Sequence, residues 1–227
     1  MKKTALCFIL LSFLSCKKSE ETNEIVKPTT TSEKIEDTIT IEEQEYIKFQ
    51  PDSISDLAVK GFQIDSSYKI GNSKVVVGNY EPIDGEISSP DTEKDWGDRL
   101  LLLNDKNQII YKSRGVGETY LYEPYFYKNK SNNKIIIVCQ RAYEYFFGGD
   151  AFLLENDKIK YIGDIDVEGK FDEDKLVDIL KIRETKDKIT FTFDSDSIIL
   201  EPGSKDIYVK NNNIRYEYNN KSFKFIK

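Results

Sequence analysis

Histidine is absent from this chain of 227 residues, and its absence excludes several kinds of catalytic site. Nucleophilic sites of the Ser-His-Asp and Cys-His types need an imidazole base, so neither can form here. Zinc sites with imidazole ligands are excluded for the same reason. Glycine-rich phosphate loops of the dinucleotide and Walker types are missing too. Any catalysis would use paired carboxylates, or lysine and tyrosine, and 40 acidic residues make some carboxylate pair inevitable.

Cysteine is scarce, since the chain has only three. Cys139 is the single cysteine after residue 45, and it lies in the apolar stretch "KIIIVCQ", where cysteine usually behaves as a small buried hydrophobe. One cysteine cannot form a disulfide framework or a thiolate cluster within this part of the chain. The stability of the folded part of the chain after residue 45 must therefore come from packing.

Excess positive charge is also missing. Residues 46–227 carry 27 basic and 31 acidic side chains, a net charge of −4, without an arginine-rich run. A nucleic-acid partner would require a basic patch, so none is expected.

The first residues have the pattern of a secretion signal. Met1, Lys2 and Lys3 form a short basic segment, and residues 4–15 form an apolar run. This run has the length of a signal-peptide core, whereas a membrane-spanning helix needs roughly 20 apolar residues. We therefore predict a signal peptide over residues 1–15.

Cys16 follows this run and precedes a group of charged residues. The stretch Phe13-Leu14-Ser15-Cys16 resembles the lipobox of bacterial lipoproteins, with Phe13 at the position where that family most often has leucine. In that family the cysteine becomes the first mature residue and carries lipid on its sulfur and amino group. The resemblance implies acylation of Cys16, including palmitate, and a lipid anchor in the Gram-negative cell envelope, in the outer membrane. The alternative is an ordinary signal peptide that happens to be followed by a cysteine.

Residues 16–45 are predicted to form a flexible acidic tether. Between residues 17 and 45 there are four lysines, nine acidic residues and no aromatic side chain. Low hydrophobicity combined with like charge does not offset the entropy of ordering. In some Gram-negative lipoproteins, charges directly after the cysteine act as a surface-export signal, and residues 17–21 are similar in kind. A merely soluble tether is the alternative, so the surface and periplasmic faces both remain open.

Residues 46–227 are predicted to form one all-β, antiparallel domain. Short β-branched or aromatic runs alternate with Asn-, Asp- and Lys-rich turns, which favours hairpins in a sandwich, meander, closed sheet or small propeller. The runs include "KVVVGNYE" (74–81), "RLLLLND" (99–105), "QIIYKS" (108–113), "TYLYEPYFY" (119–127), "KIIIVCQ" (134–140), "AFLLEND" (151–157) and "KITFTFD" (188–194). In the last run, Ile189, Phe191 and Phe193 are expected to face the core. One short helix is predicted over residues 172–180.

A faint internal similarity is compatible with a propeller, although three copies are few for an ordinary one. The segments 96–111 and 147–162 share an aromatic residue, Gly-Asp, four apolar residues and Asn-Asp-Lys, and 203–218 resembles them more weakly. A period of this length suits four-stranded blades. Hairpins of similar composition are the alternative explanation.

Aromatic residues give the main candidate for a ligand surface. If the strands around 120–127 and 142–150 are neighbours, their tyrosines form one surface, rimmed by Arg141, Glu144 and Asp150. Such surfaces stack on sugar rings or bury against protein partners. The alternative is that these rings simply belong to strands and the core. The candidate residues are Trp96, Tyr120, Tyr122, Tyr143, Tyr145 and Phe147.

Two acidic stretches are weaker candidates. Asp164, Asp166 and Glu168 resemble the start of a calcium loop, but Lys175 occupies the twelfth position, where a bidentate glutamate is needed. The alternative is the polar face of a strand end. The acidic loop 81–98 is long enough to be functional, although a solvated loop is the simpler explanation.

The sequence therefore predicts an envelope-anchored lipoprotein that presents a β-rich binding domain for a glycan or a protein. No catalytic motif predicts an enzyme. A carboxylate-type hydrolase acting on envelope glycans is one alternative. An inhibitor or immunity-type protein, which inserts a loop into another protein, is the other.

Overall fold

The computed structural model describes residues 43–87, 89–170, 175–186 and 188–227. The predicted signal peptide, Cys16 and the tether up to residue 42 lie outside the described residues. Strands make up 59% and helix 2% of the described residues, and the paired strands are antiparallel, so the all-β prediction is confirmed. None of the helices in these ranges is long and apolar enough to cross a membrane.

The described strands form three sheets. Their bounds are β1 (Gln44–Phe49), β2 (Asp52–Ser53), β3 (Phe62–Ile70), β4 (Ser73–Tyr80), β5 (Arg99–Leu103), β6 (Ile109–Lys112), β7 (Leu121–Asn129), β8 (Ile135–Ala142), β9 (Phe146–Glu155), β10 (Lys158–Ile165), β11 (Val167–Gly169), β12 (Leu180–Glu184), β13 (Ile189–Phe193), β14 (Ser197–Leu200), β15 (Ile207–Lys210), β16 (Arg215–Tyr218) and β17 (Phe223–Ile226). The orders are β10-β9-β8-β7-β1-β12-β13-β16-β17, β11-β14-β15 and β2-β3-β4-β5-β6.

The nine-stranded sheet curls until its edge strands β10 and β17 almost meet. Lys160 Nζ in β10 donates a hydrogen bond to the carbonyl oxygen of Asn220, in the turn before β17 (3.0 Å). Gly163 in β10 faces the ring of Phe223 in β17, and a Cβ atom there would lie 2.2 Å from Phe223 Cδ1. Only glycine therefore leaves room for this approach of the two edges.

The inner face of the curled sheet encloses the larger core, which includes Val138, Ile165, Phe191 and Ile198. The alternation predicted for β13 is confirmed, because Ile189, Phe191 and Phe193 are buried between half-buried threonines. A single turn of helix, α1 (Leu176–Ile179), contributes Leu176 and Val177 to this core. It lies within the predicted helix 172–180, of which residues 172–174 are outside the described ranges.

The five-stranded sheet covers the outer face of β7 to β10. Val75, Leu100 and Leu102 pack there with Phe126, Ile137, Cys139 and Phe152 in a second core. Cys139 is a free, fully buried thiol in this layer. One end of this interface is not apolar but charged, and that end forms the candidate site.

The internal similarity marks hairpins and not blades. Segments 96–111 and 147–162 each contain a two-stranded hairpin, β5–β6 and β9–β10. Segment 203–218 contains β15 and β16, which belong to different sheets. The described strands form sheets of nine, three and five strands, so the similarity reflects composition.

Candidate functional site

The register of β8, β9 and β10 brings two carboxylates to the charged end of the second core. Asp150 in β9 lies opposite Asp164 in β10 and opposite Cys139 in β8. Residues directly opposite each other in antiparallel strands project to the same side of the sheet. Asp150 and Asp164 therefore project to the same side of the sheet as Cys139 and Phe152.

Arg141 lies between these carboxylates, opposite a β-bulge. The pairing of β8 with β9 shifts register between Gln140 and Ala142, where two residues of β9, Phe147 and Gly148, lie opposite Arg141 alone, so the extra residue is in β9. Bulges disrupt the ladder locally and re-aim side chains. The guanidinium forms ion pairs with Asp164 and, at 3.6 Å, with Asp150, and its Cζ atom lies 5.1 Å from the centre of the Phe147 ring. Its buried Nε has no hydrogen-bond acceptor among the described residues.

Asp150 is the most buried charge of this cluster, with 6% of the residue exposed. Its carboxylate accepts hydrogen bonds from Tyr122 Oη (2.8 Å) and, at 3.5 Å, Tyr161 Oη. Burial raises the pKa of Asp150, while Arg141 and the tyrosine hydroxyl oppose the rise. Burial alone would lower the pKa of Arg141, but Asp150 and Asp164 outweigh it and raise this pKa. Arg141 therefore stays charged, and the cluster offers one cation between two acceptors.

The cluster forms the floor of an open cavity of about 550 Å³, hereafter the first cavity. Trp96, Tyr143 and Tyr161 line its walls, together with residues 113–117. These three residues are 36%, 44% and 45% exposed. The cavity thus combines exposed ring faces with hydrogen-bonding groups that converge on one point.

Trp96 is held in place by a buried arginine that sequence reasoning missed. Arg99 is fully buried and forms ion pairs with Asp91 (2.6 Å) and Asp95 (3.3 Å). Its Nε donates to the carbonyl oxygen of Gly97 (3.3 Å). The available signal was an arginine directly before four leucines and after several aspartates, since a charge at that point needs partners when it is buried.

A second cavity of about 580 Å³ lies beside the first. Tyr145, Phe147 and Gly203 contribute to its lining, together with Glu144 and Asp166. The ring of Tyr143 stacks on Phe147 with 4.6 Å between the centroids and 21° between the planes.

The structure brings four of the six predicted aromatic residues to these cavities. Trp96 and Tyr143 line the first, and Tyr143, Tyr145 and Phe147 line the second. Tyr120 is 87% exposed but is not among the residues that line either cavity.

Tyr122 does not belong to the surface. It projects from β7 into the second core, where it is 6% exposed and its hydroxyl donates a hydrogen bond to Asp150. Arg141 and Asp150 line the first cavity, and Glu144 lines the second.

The three acidic residues predicted as possible calcium ligands serve different parts of the fold. Asp164 pairs with Arg141, whereas Glu168 is buried and accepts hydrogen bonds from Gln140 Nε2 (2.6 Å) and from the backbone amides of Gly148 and Leu176. Asp166 lines the second cavity. Across the described ranges, no group of three or more Asp, Glu, Cys or His residues could hold a metal ion.

The acidic loop 81–98 divides into two parts around Ser88, which lies outside the described residues. In the first part a tight turn joins Ile83 to Glu86, and Ile83 and Ile87 are 64% and 45% exposed. The second part wraps around Arg99 and presents Trp96. That part of the loop supports the first cavity.

No family model, curated protein or solved structure matched this chain when it was compared with them. The chemistry of the two cavities is therefore the main guide to function. Exposed ring faces pack against apolar C–H groups, while a cation and several carboxylates can donate to and accept from hydroxyl groups. The arrangement suits a ligand that is apolar on its faces and rich in hydroxyls at its edges.

Proposed function

We propose that this protein is a lipoprotein of the cell envelope, anchored in the outer membrane through acylated Cys16, whose β-rich domain binds a glycan in the first cavity. The observation that carries the binding function is the set of exposed rings of Trp96 and Tyr143 beside the Arg141–Asp164 pair. Pockets with few, convergent polar groups among aromatic walls are typical ligand sites.

The chemistry of a pyranose ring fits these groups. Its C–H face is apolar and packs on an aromatic face, while each hydroxyl can donate one hydrogen bond and accept others. Asp164 and Asp150 offer carboxylate acceptors, and Arg141 offers charged donors. Hydrogen bonds to charged groups are about twice as strong as those between neutral groups. A glycan can therefore contact the aromatic faces, the carboxylate acceptors and the charged donors of the cavity.

The chain's one tryptophan provides the test, since Trp96 lines the cavity. A glycan array of the detergent-solubilised full chain would select a ligand, and Trp96 fluorescence would measure the affinity. We expect Asp164→Asn to weaken binding about tenfold, because a charge-assisted acceptor becomes a neutral one, a difference of about 1.4 kcal/mol. Asp194→Asn is the matched control, since Asp194 also pairs with a cation, Lys181, at 3.4 Å.

Failure of every glycan to bind would contradict the proposed function. An equal loss of affinity in Asp164→Asn and Asp194→Asn would contradict the assignment to the first cavity, because Asp194 is in the turn after β13 and does not line that cavity.

One observation favours a second candidate, a carboxylate-type hydrolase. Asp150 and Asp164 are cross-strand neighbours in one cleft, and burial raises the pKa of Asp150, as a general acid requires. Glycoside hydrolysis needs two carboxyl groups roughly 5 to 9.5 Å apart on either side of the scissile bond. Mass spectrometry of a bound oligosaccharide after long incubation decides between the two. Cleavage that is lost in Asp150→Asn would favour the hydrolase, and intact ligand would favour simple binding.

A further inference from the structure

The two cavities share part of their lining. Arg141, Tyr143 and Asp164 line both the first cavity of about 550 Å³ and the second of about 580 Å³. Tyr143 lies between the two cavities. Its hydroxyl donates a hydrogen bond to the carbonyl oxygen of Val116 (2.8 Å), which holds the ring in this position. The cavities are thus adjoining compartments on either side of one tyrosine.

Each compartment has its own exposed aromatic ring. Trp96 belongs to the first, and Tyr145, which is 51% exposed, belongs to the second. A Cβ atom built on Gly117 would lie 3.9 Å from both Trp96 Cζ2 and Tyr143 Oη, so these two rings flank the same glycine. Tyr143 in turn stacks on Phe147, which lines the second compartment. Aromatic rings therefore continue from one compartment into the other.

The charges also constrain the ligand. In the first cavity Glu93, Asp150 and Asp164 balance Lys94, Arg114 and Arg141. In the second cavity Glu144, Asp164 and Asp166 face Arg141 alone, so acidic groups are in excess. Like charges brought together in a partly buried site repel, which disfavours carboxylated or phosphorylated sugars there.

We propose that the two cavities are adjoining subsites of one groove, and that the ligand is a neutral oligosaccharide of two or more pyranose rings that crosses Tyr143. This inference rests on the proposed glycan-binding function and specifies its ligand. One ring stacks beside Trp96, another beside Tyr145, and Arg141 and Asp164 bind hydroxyls near the junction. Binding of the second ring is then intramolecular, so affinity rises with the length of the ligand.

A length series of one neutral glycan tests the inference in the detergent-solubilised full chain. Monosaccharide to tetrasaccharide are titrated by Trp96 fluorescence and by calorimetry. We expect affinity to rise on the order of tenfold or more between the monosaccharide and the longer ligands. Tyr145→Ala is expected to lose this gain with length. Tyr145→Phe retains the ring and is expected to keep it.

Tyr120→Ala is the matched control, because Tyr120 is a highly exposed tyrosine that lines neither cavity. Affinity that does not depend on length would overturn the two-subsite inference while glycan binding stood. An equal loss for monosaccharide and tetrasaccharide in Tyr145→Ala would overturn it as well. Absence of binding to any member of the series would instead refute the proposed function. Tighter binding of an acidic glycan of equal length would overturn the choice of a neutral ligand.

Discussion

Glu168 is a buried carboxylate that connects three separate parts of the fold. Only 4% of the residue is exposed. One carboxylate oxygen accepts hydrogen bonds from Gln140 in β8 and Gly148 in β9, and the other accepts from the amide of Leu176 at the start of α1 (2.7 Å). A carboxylate in such a place is tolerated because donors surround it, although burial still disfavours its charge.

The protonation of Glu168 should make stability depend on pH. Burial raises the pKa of Glu168 from 4.5 to about 7, against hydrogen bonds that oppose the rise. Between these values the folded state binds one proton more than the unfolded chain, so the free energy of unfolding falls as pH rises from 4.5 to about 7. The fall amounts to about 3 kcal/mol at most. We expect urea unfolding at pH 5 and pH 8 to give a larger difference for the wild type than for Glu168→Gln.

Glu217→Gln is the control for this pH dependence. Lys188 and Arg215 hold the pKa of Glu217 below its usual value, so it is already ionised throughout the window. The control should keep the wild-type difference between pH 5 and pH 8. Parallel curves for wild type and Glu168→Gln would contradict the assignment to Glu168.

The exposure of single side chains could be predicted from the sequence at some positions and not at others. The sequence pattern of residues 142–150 places Tyr143 and Tyr145 on one face as a candidate ligand surface, and both residues are exposed in the structure. Tyr122 was assigned to the same surface, but the facing sheet covers it. Burial by a distant sheet cannot be inferred from a strand's own alternation. Arg141 lies opposite a bulge in β9, and no local sequence pattern predicts that bulge.

At the scale of elements, the first cavity depends on the close approach of two loops. Gly97 follows Trp96 and has φ +88°, and a Cβ atom there would lie 2.0 Å from the carbonyl oxygen of Gly117. The amide of Gly117 donates to the carbonyl oxygen of Trp96 (2.9 Å). The two loops therefore meet backbone to backbone, and this contact positions the indole ring.

Gly97→Ala is expected to separate these loops. An alanine at positive φ costs about 1 to 2 kcal/mol, and the clash with Gly117 adds to this strain. We expect a clear loss of thermal stability and a red shift of Trp96 fluorescence as the ring becomes more hydrated. Gly85→Ala is the matched control, since Gly85 has φ +79° but no atom within 4 Å of its Cβ position. Equal stability loss in both variants, without a fluorescence change in Gly97→Ala, would show that the contact is unimportant.

The strands themselves differ in how readily they can be predicted. Runs such as residues 99–105 and 134–140 are strongly apolar and were predicted as strands. β5 lies within the first run, and β8 overlaps most of the second. The strand β3 went unrecognised because "FQIDSSYKI" contains few apolar residues. A register shift near Asp65 further interrupts its alternation. Its pairing with β4 and the packing of the sheet stabilise it, which is a tertiary effect.

At the scale of the whole molecule, non-local pairing decides the architecture. The first strand, β1, pairs with both β7 and β12, which are distant in sequence, and thereby joins two groups of strands into one curled sheet. Hairpin signals predict neighbouring pairs only, so they indicated an antiparallel all-β domain without this order. The two cavities depend on how the five-stranded sheet covers that curled sheet, so their position could not be predicted either.

The membrane anchor is the remaining prediction at this scale, and it rests on Cys16. If Cys16 is acylated, its acyl chains should hold the protein in the membrane fraction, because each buried methylene contributes about 0.8 kcal/mol and several chains anchor far more firmly than one. We expect palmitate labelling and detergent-phase partitioning in the wild type, and loss of both in Cys16→Ala. Cys7→Ala is the matched control, since Cys7 lies within the apolar run and not at its end.

The same cells test whether the proposed outer-membrane anchor presents the domain at the cell surface or in the periplasm. Protease treatment of intact cells should remove the domain if residues 17–21 direct export to the surface, and should spare it if the domain is periplasmic. Surface exposure would direct the search for a glycan to external polysaccharides, and protection would direct it to envelope glycans inside the outer membrane. Retention of unlabelled Cys16→Ala in the membrane would instead refute the lipid anchor, and the β-rich domain would then need another means of attachment.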